Sequence, residues 1–369
     1  MSRIRRKKIL LASVLNPVDH VRIYYREGMS LANAGYDIHI YGNSPTQSIA
    51  STDNITFHIH PVPKRFSLER ALSQNTFRKV LKNIQPDILH IHTPELILEA
   101  LKWKNETGNI LIYDRHEAYP LQTLNPKLYP FGLNYLLPKW IKYLENKIDK
   151  KAAAIIVAEA GYLTEYPWKC ANVVWIRNSC PSLENIEFPP FPEKPYLLIA
   201  GNLDPSWGLL NALKIWEKYF QSYHLIIAGY CPQLGIRKEL NAWATKYKSI
   251  QLIGINSLIP WIKLMGWMKG ASGLLAPFPD QPFLRGKMPS RFYEAGANGI
   301  PIIADYREEW FQYWSPYEMI YTPEQFAALP SIPTPTPPSD TWSWELDAQQ
   351  LLNLYEDLDS EHQNITKPV

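Results

Sequence analysis

Short apolar runs alternate with helix-like patterns twice along this chain, and the alternation constrains the fold more than any other feature. The first series extends from an apolar run at residues 8–14 to one at 173–176, and the second extends from residues 196–200 to 300–304. Strands that alternate with helices pair in parallel and form doubly wound sheets. The sequence therefore predicts an α/β protein with two domains, each built on its own parallel sheet.

Proline-rich stretches separate the predicted units. Residues 181–195 hold five prolines and are typical of a linker between domains. Residues 330–338 predict a stiff connector, and a final amphipathic helix follows over residues 340–358. With 369 residues, the chain is long enough for two ordinary domains. The predicted units are an N-terminal domain over 1–180, a second domain over 195–339, and a terminal helix with its tail over 340–369.

The charge balance argues against one class of partner. The chain has 38 Lys and Arg residues against 35 Asp and Glu, and this net charge of +3 is too small to predict nucleic-acid binding. No apolar stretch approaches the roughly 18 residues of a membrane-spanning helix. A basic run at residues 3–8 is either a solvated lead-in to the first strand or a contact with an anionic membrane surface. We expect a cytoplasmic protein, with the inner face of the membrane as the alternative location.

The sequence gives little sign of a bound metal. Cys170, Cys180 and Cys231 form no CxxC pair, so neither a zinc site nor a redox motif is predicted, and sparse cysteines fit a reducing cytoplasm. Asp357 and Asp359 form an Asp-x-Asp sequence, but it ends the last helix instead of following a strand, where a catalytic metal site would need it. We therefore predict neither a metal nor a cofactor.

Ligands of open parallel sheets bind beyond the carboxyl ends of the strands, so the loops at that edge hold the candidate residues. The loop after the first strand lacks the GxGxxG pattern, which disfavours a classical dinucleotide cofactor. It offers Asp19, His20 and Arg22 near the start of a helix predicted over residues 22–33.

The fourth and fifth strands end in titratable side chains. His90 and His92 alternate onto one face of the fourth strand and, with Glu95 nearby, are a weak metal signal. Hydrogen bonding of a strand-end histidine to a neighbouring loop is the preferred interpretation. The fifth strand leads into Asp-Arg-His-Glu at residues 114–117, four consecutive groups that can act as acid, base or charge partner. Loops that only cover a core rarely need such a cluster, and we predict a functional role for His116.

Two segments of the second domain are suited to an anionic ligand. The loop over residues 201–208 lies between a strand and a helix, where backbone N–H groups can cradle a phosphate. In residues 285–301, a helix is predicted to start near Ser290, so that Arg291 and Glu294 share one helix face. A cation at a helix N-terminus suits a diphosphate, and Glu294 one turn later can accept hydrogen bonds from two ribose hydroxyls. The alternative is a simple ion pair on a solvated face.

Together these segments resemble the retaining glycosyltransferases of family four, which have the GT-B fold. The resemblance covers nearly the whole chain, and the segment over residues 289–303 is its most specific part. It implies two Rossmann-like domains that face each other across a cleft, with a C-terminal helix that crosses back to the N-terminal domain. The matching segments are DHVRI at 19–23, SLANAGY at 30–36, DILHIH at 87–92, YDRHE at 113–117, PSRFYEAGANGIPII at 289–303, and the helix at 344–358.

The resemblance implies roles for individual residues. Glu294 would bind the donor ribose, Arg291 the diphosphate, and His116 the transferred sugar near the reacting carbon. The donor would be a nucleoside-diphosphate sugar, and the acceptor a glycan or a lipid-linked or protein-linked group. The predicted catalytic residues are His116, Glu117 and Arg291, and the predicted nucleotide-sugar-binding residues are Glu294, Ser290, Gly201, Asn202, Arg285, Lys287, Asp19, Arg22 and His92.

Three positions depart from the family's pattern, and they leave other functions open. The family often has Arg after the glycine at 201 and Lys before the glycine at 208, where this chain has Asn202 and Trp207. The first Glu of the family's paired-Glu motif is here Gly286. If the enzyme is active, we expect Arg285, Lys287 and Arg291 to replace the missing cations. The alternatives to a metal-independent retaining transferase are a sugar-nucleotide epimerase and a non-catalytic scaffold.

Overall fold

A seven-stranded sheet occupies the N-terminal part of the computed structural model, which describes residues 6–47, 54–61, 68–123, 132–165, 168–181, 195–281, 284, 286–335 and 342–366. Its strands are β1 (Lys8–Pro17), β2 (Asp37–Asn43), β3 (Ile55–His60), β4 (Ile88–Ile91), β5 (Ile110–Arg115), β6 (Ala154–Val157) and β7 (Val173–Trp175). They lie in the order β3-β2-β1-β4-β5-β6-β7, and neighbouring strands are parallel. The order reverses between β1 and β4, which opens a ligand crevice at their carboxyl ends.

A second parallel sheet follows, with six strands among the described residues. They are β8 (Tyr196–Asn202), β9 (His224–Tyr230), β10 (Ile250–Ile253), β11 (Gly273–Leu275), β12 (Ile302–Ile303) and β13 (Ile320–Tyr321). Their order is β10-β9-β8-β11-β12-β13, so the reversal here lies between β8 and β11. The two sheets confirm the predicted α/β class with two Rossmann-like units.

Helices cover both sheets and supply the rest of each core. The first sheet carries α1 (Met29–Asn33), α2 (Leu68–Ile84), α3 (Ile97–Thr107), α4 (Tyr119–Gln122), α5 (Leu133–Ile148) and α6 (Gly161–Glu165). The second carries α7 (Leu209–Tyr219), α8 (Leu234–Lys246), α9 (Trp261–Lys269), α10 (Ser290–Ala297), α11 (Glu308–Trp314) and α12 (Pro323–Ala327). Leu144 and Ile148 of α5 pack into the first core, and Leu213 and Trp216 of α7 pack into the second.

The segment after β1 is wound differently from the single helix predicted over residues 22–33. Val21–Gly28 forms a π-helix, and α1 continues from it. In a π-helix the hydrogen bonds join residues five apart, so side chains at i and i+5 come onto one face. Arg22 and Glu27 are five apart, and both are buried against the sheet. The wider turn therefore brings inward two charged side chains that an α-helix would separate.

The chain divides into two compact units. The first combines Met1–Asn178 with Leu346–Val369, and the second is Ser179–Glu345. The last helix, α13 (Trp344–Thr366), belongs to the first unit over most of its length. Its Tyr355 hydroxyl lies 2.8 Å from His90 Nδ1 of β4, and its Asp347 pairs with Arg177 at 3.2 Å. No helix among the described residues is long and apolar enough to cross a membrane.

Several sequence predictions fall on residues that the structure does not describe. Most of the predicted linker at 181–195, the start of the basic run at 3–8 and the end of the connector at 330–338 lie outside the described residues. Arg285, a predicted cation of the donor site, lies outside them as well.

Candidate functional site

A buried network of charged side chains forms where the carboxyl ends of β4 and β5 meet the π-helix. It consists of Arg22, Glu27, His92 and Asp114, none of which is more than 1% exposed. The Arg22 Nε donates to Asp114 Oδ2 at 2.5 Å and lies 3.2 Å from Glu27 Oε1. The His92 Nε2 lies 2.6 Å from Glu27 Oε2. Every charged group in the network therefore has an opposite partner, as burial away from water requires.

The network fixes the protonation of its members. Burial alone would raise the pKa of Asp114, but the positive charge of Arg22 holds it well below its usual range. Burial alone would lower the pKa of His92, but the carboxylate of Glu27 raises it instead. Asp114 is thus an anion at neutral pH, and the contact between His92 and Glu27 favours the protonated imidazole.

Arg22 and His92 are predicted nucleotide-sugar ligands, yet the structure uses their donors internally. Besides Asp114, the Arg22 guanidinium donates to the Ile176 carbonyl at 3.2 Å and to Asn178 Oδ1 at 3.0 Å. With exposures of 1% and 0%, Arg22 and His92 fit a role in positioning the strand ends better than direct contact with a ligand.

Four side chains of this region have the chemistry to hold a metal ion. Ligand atoms of Glu27, His90, His92 and Asp114 all lie within 4.8 Å of one another. The Arg22 guanidinium, however, already ion-pairs with both carboxylates. We interpret the cluster as an ion-pair network in which a guanidinium supplies the positive charge that a metal would otherwise bring.

His116 lies beside this network on the loop after β5. Its side chain is 10% exposed, and its Nδ1 is 4.0 Å from Asp114 Oδ1. Its ring centroid lies 6.2 Å from that of His20 and 6.1 Å from that of His92. Burial lowers the pKa of His116 to about 4, although the charge of Asp114 opposes the shift. At neutral pH it is therefore a neutral imidazole, able to donate one hydrogen bond and accept another.

The remaining candidates of the first unit differ in their surroundings. Asp19 is buried and accepts hydrogen bonds from the Thr46 N–H at 2.9 Å and the Thr46 hydroxyl at 2.5 Å, so it joins the loops after β1 and β2. Burial, with His116 nearby, lowers the pKa of His20 well below its usual value. Glu117 follows His116 directly and is half-buried.

In the second unit, Glu294 is the centre of the predicted donor site. It lies in the first turns of α10 and is 1% exposed. The Trp261 indole N–H donates to its Oε1 at 2.9 Å, and Arg291 Nη1 donates to its Oε2. Arg291 and Glu294 thus do not form the simple ion pair on a solvated face that was the alternative from the sequence. A carboxylate has about four acceptor positions, so Glu294 can accept further hydrogen bonds.

The predicted phosphate loop lies directly beside Arg291. Gly201, at the end of β8, has a φ of 112°, and a Cβ built there would lie 3.3 Å from Arg291 Nε. Glycine therefore lets the guanidinium approach the backbone, and the exposed Asn202 comes next. The other described members of the predicted donor set are Ser290, which begins α10, and Lys287, which is buried.

Two members of these networks are not indicated by the sequence patterns. Glu27 bridges Arg22 and His92, and Trp261 holds one oxygen of Glu294. Neither stands in a recognisable motif. Only the i,i+5 spacing of Arg22 and Glu27 hints at their pairing, and it does so only once a π-helix is assumed.

Comparison with known sequences supports the resemblance. Residues 22–166, which lie within the first unit, match the family model described as Glycosyltransferase Family 4. No curated protein sequence matches the chain. The family match confirms the resemblance to family four and supports glycosyltransferase activity.

Solved structures match the chain over nearly its whole length. Sucrose-phosphate synthase from Thermosynechococcus elongatus aligns with a TM-score of 0.71 and 16% identity, covering 96% of this chain and 100% of that one. HepE from Anabaena, in complex with UDP and glucose, aligns with a TM-score of 0.61, 12% identity, and coverage of 97% and 100%. The catalytic domain of starch synthase IV from Arabidopsis thaliana, bound to ADP and acarbose, aligns with a TM-score of 0.59, 12% identity, and coverage of 96% and 99%. The chain therefore has the GT-B glycosyltransferase fold.

Proposed function

We propose that this glycosyltransferase-like chain transfers a sugar from a nucleoside-diphosphate sugar to a glycan, lipid-linked or protein-linked acceptor, with retention of anomeric configuration and without a metal. The observation that carries the proposal is the arrangement of Arg291, Glu294 and Gly201. A buried carboxylate, a guanidinium and a glycine backbone converge there at the start of α10. Such a set has an acceptor for ribose hydroxyls and a cation for a diphosphate.

The proposed role of the second unit is to stabilise the negative charge of the leaving diphosphate. Departure of a nucleoside diphosphate develops negative charge on phosphate oxygens, and preorganised donors aimed at that charge lower the barrier. Arg291 supplies a guanidinium, and the N-terminus of α10 adds its dipole. Lys287, four residues earlier, is a further cation of the same segment.

The proposed role of the first unit is to contact the transferred sugar. His116 is neutral at pH 7, so it can hydrogen-bond a sugar hydroxyl without adding a charge near the reacting carbon. Asp114 is ion-paired with Arg22, which makes it a poor nucleophile for a covalent sugar intermediate. We therefore favour a front-face reaction, in which the leaving phosphate takes the proton of the acceptor hydroxyl.

The proposed class of donor is supported by a solved structure of similar fold. HepE has been crystallised with UDP and with UDP-glucose. With the family match, this supports a nucleotide-sugar donor for the present chain. We propose uridine nucleotides as the first to test.

The test measures both nucleotide binding and the anomeric configuration of the product. Calorimetry with UDP, GDP and ADP should find one nucleoside diphosphate that binds, and NMR of the product formed from the matching sugar nucleotide should show the donor's anomeric configuration. An inverted product would overturn the retaining mechanism. Formation of an epimer without acceptor would favour the epimerase, and absence of all nucleotide binding would favour the scaffold.

A further inference from the structure

The outward face of α5 carries large apolar side chains that the first unit leaves in solvent. Tyr135, Leu136, Trp140 and Tyr143 are 69%, 65%, 51% and 46% exposed. All four fall within nine consecutive residues of one helix. Single exposed apolar side chains are common on soluble proteins, but a contiguous set of this size marks an interaction surface.

The spacing places three of these side chains along one stripe, together with Lys147. Leu136, Trp140, Tyr143 and Lys147 follow at i, i+4, i+7 and i+11, which is one face of an α-helix. The rings of Trp140 and Tyr143 stack at 5.5 Å, and Lys147 Nζ lies 4.7 Å from the centre of the Tyr143 ring. The opposite face holds Ile141, Leu144 and Ile148, which are buried. The exposed stripe is thus a second apolar face, not part of the core.

The same surface carries positive charge. Lys139, Lys142, Lys147, Lys150 and Lys151 are all exposed, on α5 and the turn that follows it.

The carboxylates of this stretch do not offset that charge at the surface. Glu145 and Asp149 are only 7% exposed. The Tyr113 hydroxyl donates to Glu145 Oε1 at 3.1 Å, and the backbone N–H of Lys169 donates to Asp149 Oδ2 at 2.8 Å. The acids point inward, and the lysines remain in solvent beside the aromatic rings.

We propose that this face of α5 docks on an anionic lipid surface. Helices that lie in a membrane interface combine Trp, Tyr and Leu on the side that enters the headgroup region with lysines that attract anionic lipids. Tyr and Trp favour this depth because their rings are amphipathic. A lysine close to such a surface keeps its ammonium group at the headgroups while its alkyl stem covers apolar area.

Charge distinguishes a lipid surface from a second copy of the chain. In a two-fold dimer, the same patch faces itself, so this face would place lysines against lysines. Like charges across an interface oppose association, whereas an anionic lipid surface complements every lysine of the face. The inference does not depend on the proposed sugar transfer, since it requires only the exposed residues of α5.

The test is co-sedimentation of the full chain with vesicles of phosphatidylcholine alone or mixed with phosphatidylglycerol. We expect binding only to the mixed vesicles, and weaker binding at high salt. Two variants separate the contributions: Trp140→Ala with Tyr143→Ala, and Lys139→Glu with Lys142→Glu. Each should weaken binding about tenfold or more, because each lysine near an anionic surface contributes attraction that charge reversal turns into repulsion.

The control is Tyr306→Ala, which removes a 66% exposed aromatic ring from the second unit and should leave vesicle binding unchanged. Thermal unfolding of each variant shows that the fold is retained, and nucleotide binding should stay at the wild-type level throughout. Equal binding to neutral vesicles, or no binding to either, would overturn the proposal. A dimer detected by light scattering that Trp140→Ala with Tyr143→Ala dissociates would assign the face to a second copy instead.

Discussion

Glu294 is a buried carboxylate with two contacts inside the fold, and we propose that it also binds the donor ribose. Its two oxygens are held by Trp261 and Arg291, so the side chain is oriented before any ligand arrives. Preorganisation of this kind avoids the entropy that a flexible side chain would lose on binding. It also means that a change at Glu294 has to be separated from a change in folding.

Glu294→Ala should weaken binding of the nucleoside diphosphate by about 1–3 kcal/mol, the scale of hydrogen bonds to a charged group. Calorimetry checks the affinity, and thermal unfolding checks the fold. Glu309→Ala is the matched control, because Glu309 is an exposed carboxylate on α11 of the same unit. If Glu294→Ala and wild type bind nucleotide equally well, the ribose assignment is wrong.

His116→Ala should reduce kcat while the affinity for the free nucleoside diphosphate stays near that of wild type. The reason is that we place His116 at the transferred sugar, which the free nucleoside diphosphate lacks. Steady-state kinetics and calorimetry on the same preparation measure the two quantities. Equal losses in both would indicate a structural histidine.

At the scale of elements, the loop between β8 and α7 depends on close backbone packing. Gly208 has a φ of 81°, and a Cβ built there would lie 2.1 Å from the Pro277 carbonyl oxygen. The left-handed conformation costs an L-residue about 1–2 kcal/mol, and the clash adds to it. The side chain that precedes it, Trp207, packs edge-on against Phe278 at 5.7 Å. Position 207, where family four often has a lysine, therefore makes an aromatic contact in this chain.

Gly208→Ala should therefore lower the free energy of unfolding by at least about 2 kcal/mol. Gly235→Ala, near the start of α8, is the matched control, because a Cβ there meets nothing within 4 Å. It should be neutral or stabilise by up to about 1 kcal/mol, since alanine favours the helix. Urea unfolding of the two variants measures both effects. A Gly208→Ala variant as stable as wild type would mean that the loop has room to move.

The elements that could be predicted from the sequence are those with a strong local signal. β1 and β4 are short apolar runs, and the helix start at Ser290 has a Pro before it. The π-helix could not be predicted, because its hydrophobic pattern is also that of an α-helix and only the pairing of Arg22 with Glu27 in space distinguishes the two. The hydrogen bond from Trp261 to Glu294 could not be predicted either, since 33 residues separate the partners in the sequence.

At the scale of the whole molecule, the positions of the positive charges predict activity without a metal. Departing diphosphate needs cations, and we propose that Arg291 and Lys287 of the second unit supply them. In the first unit, Arg22 neutralises the carboxylates that would otherwise attract a metal. Activity should therefore be unchanged by EDTA, measured as product formation after dialysis against chelator. Loss of activity that added Mn²⁺ restores would contradict the proposed mechanism.

Stability of the whole chain should fall in acid because histidines are buried in their neutral form. Burial lowers the pKa of His20, His90 and His116 below the unfolded value of about 6.5. Below that value the unfolded chain binds protons that the folded chain excludes, so the stabilisation is present above about pH 6.5 and is lost as the pH falls. For His116 the loss extends down to its folded pKa of about 4. His92, Glu27 and Glu145 act in the opposite direction, because their folded-state pKa values are raised. The lowered pKa values of His39, His58 and Asp114 add to the loss of stability in acid.

His116→Gln isolates one of these contributions, since glutamine keeps hydrogen-bonding capacity and does not titrate. Urea unfolding of wild type between pH 7 and pH 5 should show a falling free energy of unfolding. In His116→Gln the slope should be smaller by up to about 1.4 kcal/mol per pH unit, the value for one proton. The difference should vanish above pH 7, where His116 is neutral in both states. An identical slope in the two proteins would mean that water reaches the His116 ring in the folded chain and that its pKa is close to the unfolded value.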